Sequence, residues 1–169
     1  MSHVVAASRS TGFFVQEIEG AYRCAKADEI IETALALVEE RHRSGTTLSA
    51  PRAAREYLAL RLGSVEHEIF ACIFLDAQNR IIEYVELFRG TVTQTAVYPR
   101  EVVKEALRRN AVALILVHNH PSGIGEPSRA DEHLTQTLKD ALALVDVRVL
   151  DHLIVGGTGL TSLAERGLL

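Results

Sequence analysis

Seven consecutive apolar residues, Ala111 to Val117, run directly into His118-Asn119-His120-Pro121 and a loop containing Gly123, Gly125 and Pro127. An apolar run that short, ended by a loop, fits a strand covered on both faces better than a helix. It therefore demands a layer of structure on each side of a sheet. The rest of the pattern supplies such layers. Ser49 can cap a helix whose first turn takes Pro51 and which Gly63 stops. Glu68–Leu75 and Arg80–Phe88 read as paired antiparallel strands around the turn-forming Asp76-Ala77-Gln78-Asn79. Thr91–Val97 reads as a third strand. Pro99 opens a helix with Val102, Val103, Ala106 and Leu107 on its apolar stripe, and Asn110 suits a left-handed stop. A helix from Ser128, a strand over Val145–Val155, a turn at Gly156–Gly159 and a short closing helix complete the chain. Alternating strands and helices define an α/β class with a mixed central sheet.

The first 47 residues are patterned differently. Gly12–Cys24 suits a hairpin around Gly20, and from Asp28 a helix carries Ile31, Leu35, Val38 and His42 along one face until Gly45. We read 1–47 as an N-terminal extension with one helix and 48–169 as the main domain. With 47% hydrophobic residues, 5% aromatics and no Trp, the core must be largely aliphatic. No stretch of ~18 apolar residues is present. Met1-Ser2-His3-Val4 also lacks the charged start of a leader, so a soluble cytoplasmic protein without membrane contact is expected. Cys24 and Cys72 have no metal or redox spacing, which excludes a disulfide framework and a Cys-rich zinc site. Eighteen Lys and Arg against 22 Asp and Glu, a net charge of −4, give no global attraction to nucleic acid. Arg41 with Arg43 and Arg108 with Arg109 read as solvated helix faces.

The segment from Val117 to Asp131 lies at a strand's carboxyl end, where open α/β sheets place their sites. His118 and His120 are two apart, so in extended chain both imidazoles project to one side. Asp131 falls in the first turn of the next helix, where a folded-back loop brings its carboxylate to the same point. Two imidazoles and one carboxylate leave a fourth tetrahedral position, the arrangement of a catalytic rather than a structural zinc. Singly these residues need no function, because Ser128 and Asp131 also make a capping box with Asp in place of Glu. It is their conjunction that points to a metal.

The string His118-x-His120, seven residues, Ser128, two residues, Asp131 resembles the JAMM motif of JAB/MPN-domain metalloproteases. The surrounding sequence resembles the bacterial RadC-like branch. The matching stretches are Phe70–Arg80, Phe88-Arg89-Gly90-Thr91, Val97–Val103, His118–Gly123, Leu150-Asp151-His152 and Ser162–Gly167. That resemblance covers residues 48–169 and implies a cytidine-deaminase-like α/β/α fold. It further implies one zinc ion with a bound water, held by His118, His120 and Asp131, and a glutamate acting through that water. Glu68, at the start of the first long strand, is our choice for the glutamate. Glu66 is the chief rival, and Glu83 and Glu86 are less suited because they belong to the next strand. Ser128 or nearby loop amides would stabilise an oxyanion. Full-length members carry a helix-hairpin-helix module, and the expectation is a short form without it.

The implied reaction is hydrolysis of a peptide or isopeptide bond in a protein or peptide substrate. The competing readings are a non-enzymatic MPN scaffold, a DNA-repair or DNA-transaction accessory protein, and a metal-dependent nuclease or phosphatase. A homodimer through a sheet edge or the N-terminal helix is compatible with all of them. His118-Asn119-His120 spells the name of a nuclease motif by coincidence. His67-Glu68-Ile69-Phe70-Ala71 lacks the second His of a helical zinc motif. A zinc deaminase would need H-x-E and P-C-x-x-C. His152 can stand behind a ligand or serve as a spare one, but a sheet histidine bonded to its neighbours is the simpler reading.

Overall fold

The computed structural model describes residues 4–6, 12–18, 20–43, 51–91 and 96–169. It divides into two compact units, Met1–Thr46 and Thr47–Leu169. The first contains strands β1 (Val4–Ala6), β2 (Phe13–Gln16) and β3 (Tyr22–Cys24), followed by helix α1 (Ala27–Arg43). The strands form an antiparallel sheet in chain order. Gly20, at φ +84°, sits in the β2–β3 connection, where a residue without Cβ escapes the usual penalty. Arg23 binds Glu29 through two hydrogen bonds of 2.8 and 2.6 Å, tying β3 to the first turn of α1. The expected stops and caps at Gly45 and Ser49, and the side chains of Val38 and His42, lie outside the described residues.

The second unit runs α2 (Pro51–Leu62), β4 (Ile69–Leu75), β5 (Ile81–Arg89), α3 (Pro99–Arg108), β6 (Ala113–His120), α4 (Arg129–Ala143), β7 (Arg148–Gly156) and β8 (Gly159–Ser162). The sheet order is β5-β4-β6-β7-β8. β4 is antiparallel to both neighbours, β6 and β7 are parallel, and β8 turns back on β7. This is the expected mixed sheet. Every residue of the inner strand β4 is buried. Phe70, Cys72, Phe74, Leu114 and Leu116 pack on one face with Val102 and Ala106 of α3 and Leu138 and Leu142 of α4. Tyr84 faces the other way and meets Tyr57 of α2 edge-on at 6.2 Å. The sheet thus has helices on both faces, which is why its inner strands are apolar throughout. Burial also pushes the Cys72 thiol up and keeps it unreactive. Among the described residues, no helix is long and apolar enough to cross a membrane.

Two boundaries differ from expectation for one physical reason. After α3, Asn110 takes φ +51°, and the Ala111 and Asn110 N–H groups donate to Ala106 and Leu107 carbonyls at 3.0 and 3.1 Å. That is a Schellman stop, so β6 begins at Ala113 rather than Ala111. After α4, Asp146 does the same at φ +58°, with Val147 N–H donating to Leu142 O at 3.0 Å. The stop uses Val145–Val147, and β7 therefore starts at Arg148 instead of Val145.

The short closing helix is not formed. Gly159–Ser162 is strand β8, and the Leu163 N–H donates to His152 O at 3.0 Å, committing the backbone to β7. Asp151 then gathers the end of the chain by accepting from Ser162 Oγ at 2.6 Å and Ala164 N–H at 3.0 Å. The strand expected over Thr91–Val97 falls largely on residues 92–95, outside the described residues.

Candidate metal centre

β6 carries the site because it continues through His118 and His120, paired with Ile154 and Gly156 of β7. Alternation along the strand puts both imidazoles on the face that also holds Leu114 and Leu116. Their Nε2 atoms lie 2.9 Å apart. Asp131, in the first turn of α4, brings Oδ1 to 3.2 Å from His118 Nε2 and Oδ2 to 3.5 Å from His120 Nε2. Tetrahedral ligands about 2.05 Å from a zinc ion are separated by about 3.3 Å. The separations of 2.9, 3.2 and 3.5 Å lie near that figure, the last two reaching different oxygens of one carboxylate, and one donor atom from each residue lies within 4.8 Å of the others. The structure thus brings together His118, His120 and Asp131 as one potential ligand set.

Each ligand is held from behind. His120 Nδ1 lies 2.7 Å from the Ile124 carbonyl, which can only accept. In the neutral ring the proton is therefore on Nδ1, and Nε2 presents its lone pair. His118 Nδ1 lies 2.8 Å from His152 Nε2, and His152 Nδ1 lies 2.6 Å from Thr135 Oγ1. Asp131 Oδ2 accepts from the Ser128 N–H and the Ser128 hydroxyl, both at 2.7 Å, while Ser128 Oγ accepts from the Asp131 N–H at 3.2 Å. The capping box and the ligand set thus share one carboxylate, and the Ser128 hydroxyl proton is directed at Asp131.

The electrostatics follow from this packing. Burial works to raise the Asp131 pKa, but the adjoining His118 and His120 imidazoles, which favour the carboxylate form, outweigh it and hold the carboxyl well below its usual range. The His120 pKa is raised by its bond to Asp131, against a burial effect that lowers it, with Glu68 adding a smaller favourable charge. Burial first, and the neighbouring His118 next, push His152 down to about 3, so this imidazole is neutral.

Glu68 stands immediately before β4. The β4–β6 register ends with Phe70 paired to His118, and Glu68, two residues before it, is near enough for its charge to act on His120. Its backbone is fixed on the far side by bonds to Thr91 O at 3.0 Å and from Gly90 N–H at 2.8 Å. On the near side the buried Asn119 carboxamide does the work. It accepts from Ile69 N–H at 2.8 Å and donates to the Val65 and His67 carbonyls at 3.3 and 3.1 Å. Glu66 is exposed in the preceding bend. Glu83 and Glu86 are turned elsewhere, toward Arg109 at 2.7 Å and Arg61 at 3.2 Å.

The loop bearing Ile124 rests on the end of β7. A Cβ built on Gly156 would fall 2.2 Å from Gly125 N, closer than real contacts allow. Gly156→Ala is therefore expected to lift the loop, free His120 Nδ1 from Ile124 and weaken metal binding about 10-fold or more. Chelator competition on the purified variant checks this, and affinity equal to wild type would show that the loop seat is dispensable.

A family model described as the RadC-like JAB domain matches residues 48–168, spanning the sheet, the loop and all three potential ligands. The chain belongs to the RadC-like JAB domain family. Among its relatives is a "UPF0758 protein" of Leptothrix cholodnii, 68% identical over 120 residues, covering 71% of this chain and 54% of that protein. Another is a "UPF0758 protein" of Nitrosomonas eutropha, 55% identical over 150 residues, covering 89% of this chain and 67% of that protein. A third, from Thiobacillus denitrificans, is 52% identical over 163 residues, 96% of this chain and 70% of that protein. The chain thus spans between 54% and 70% of the length of these relatives, and their names state no activity.

Sequence reasoning gave Asn119 no role, missed Thr135 altogether, and set His152 aside as a sheet residue. Thr135 is one helical turn beyond Asp131, a spacing that by itself marks a shared face.

Proposed function

We propose that this RadC-like JAB domain is a zinc-dependent hydrolase of the JAMM type that cleaves a peptide or isopeptide bond. The observation that carries the reading is the convergence of three side chains: His118 Nε2 and His120 Nε2 lie 2.9 Å apart, and Asp131 brings Oδ1 to 3.2 Å from the first and Oδ2 to 3.5 Å from the second, with the Glu68 charge near enough to act on His120. When bound there, a divalent ion would polarise a carbonyl and lower the pKa of water toward ~7. Glu68 would take the proton of the attacking water and return it to the leaving amine. Ser128, held against Asp131, would keep that carboxylate oriented, and loop amides would receive developing negative charge. A single ion position with one nearby glutamate suits acyl transfer better than two-metal phosphoryl transfer.

The test is elemental analysis of the purified protein, then hydrolysis of unstructured peptides and of isopeptide-linked lysine substrates with and without a chelator. One zinc per chain, and cleavage abolished by chelation and restored by zinc, is the expected result. Metal-free protein, or zinc-loaded protein inert on both substrate types, would overturn the reading. Salt-dependent binding to duplex DNA by such inert protein would favour an accessory role instead.

A further inference from the structure

Behind the metal centre, buried polar groups form a continuous chain of hydrogen bonds that reaches a ligand atom. Four groups lie in series: the Asp131 backbone carbonyl, the Thr135 hydroxyl, the His152 imidazole and the His118 imidazole. Their separations are 2.6, 2.6 and 2.8 Å. Thr135, His152 and His118 are each 1% exposed or less, so none can satisfy its polar atoms with bulk water.

Donor counting fixes the direction of this series. A carbonyl only accepts, so the single Thr135 hydroxyl proton goes to Asp131 O. The lone pairs of Oγ1 then face His152, and His152 Nδ1 must bring the proton to that contact. A neutral imidazole protonated at Nδ1 is bare at Nε2. His152 Nε2 therefore accepts, and His118 Nδ1 donates to it. The outcome at the far end is that His118 Nε2 turns a lone pair toward His120 Nε2 at 2.9 Å and Asp131 Oδ1 at 3.2 Å, a set of facing acceptors that only a cation between them satisfies.

We infer that Thr135 and His152 form a tautomer lock: a positioning relay that keeps His118 protonated on Nδ1 and its Nε2 free to take a metal ion. The relay begins and ends on the same residue, since Asp131 supplies the anchoring carbonyl through its backbone and a ligand through its carboxylate. A change in the first turn of α4 therefore reaches two of the three ligands at once. This inference rests on the proposed metal site but makes a separate claim about proton placement.

The test uses the full chain with ¹⁵N-labelled histidines and reads two quantities. The first is the tautomer of His118 in metal-free protein, from its imidazole ¹⁵N shifts at a pH above the histidine range. The second is zinc affinity by chelator competition. Thr135→Val keeps the shape and removes the acceptor for His152 Nδ1–H, so His152 should shift its proton to Nε2 and drive the His118 proton onto the ligand atom. Zinc affinity is expected to fall about 10- to 100-fold, with His118 appearing as the Nε2–H tautomer. Thr135→Ser restores the hydroxyl and should restore both readouts, which a purely packing role would not predict. Wild-type His118 protonated on Nε2, or Thr135→Val binding zinc as tightly as wild type, would overturn the lock. If wild-type protein takes up no zinc but shows His118 protonated on Nδ1, the lock stands and the metal reading fails.

Discussion

Glu68→Gln is expected to leave zinc content unchanged and to cut hydrolysis about a thousandfold, the middle of the range for loss of a general base. Gln is nearly isosteric with Glu, and the backbone of residue 68 is held by Thr91 and Gly90. What disappears is proton transfer, not the shape of the site. Metal should be retained, because Glu68 is not one of the three convergent ligands. A second readout needs no substrate. Glu68 is one of the charges that raise the His120 pKa, so in metal-free protein the variant should lower the His120 titration midpoint, measured by NMR. Glu66→Gln, two residues earlier in the exposed bend, should change neither quantity. Full activity in Glu68→Gln together with loss in Glu66→Gln would transfer the role to Glu66.

The other large effect concerns the ligands. Asp131→Ala is expected to reduce bound zinc to a small fraction of one ion per chain and to destabilise the metal-free protein by about 1 kcal/mol, because the same carboxylate caps α4. His118→Ala should lose the ion without the capping penalty. Ser128→Ala should show the reverse, a capping loss of about 1 kcal/mol with zinc retained, since the three ligand atoms remain. These variants separate metal binding from helix stability, two properties that the Asp131 side chain merges. Acid should mimic ligand loss. The metal-free His120 pKa is raised above its usual 6.5, so protons compete for Nε2 even slightly above that value. As pH falls through this range apparent zinc affinity should drop, and as pH rises it should level off. Equilibrium dialysis across a pH series measures it, and affinity independent of pH would exclude His120 as a ligand.

What could be read in the chain beforehand was local. The apolar run into His118, the alternation that sets His118 and His120 on one side, and the capping pattern of Ser128 with Asp131 each depend on residues a few positions apart. Asn110 was legible as a stop because its left-handed tolerance is a property of the residue itself. Asp146 was not, since it sits inside a run of valines that reads as uninterrupted strand. The contacts behind the site were illegible for a different reason. His152 reaches His118 only through the parallel pairing of β6 with β7, which no local spacing encodes. Asn119 matters because β4 and β6 part beyond Phe70 and His118, and its carboxamide replaces the ladder bond lost there.

The shared carboxylate of Asp131 also bears on kinetics. A helix frays from its ends, and opening the first turn of α4 withdraws one ligand and, through Thr135, loosens the support of a second. Escape of an ion bound there would then be timed by the unwinding of that turn. Residues such as Arg129 and Glu132, which are outside the potential ligand set, would then be the natural handles for tuning how long it stays.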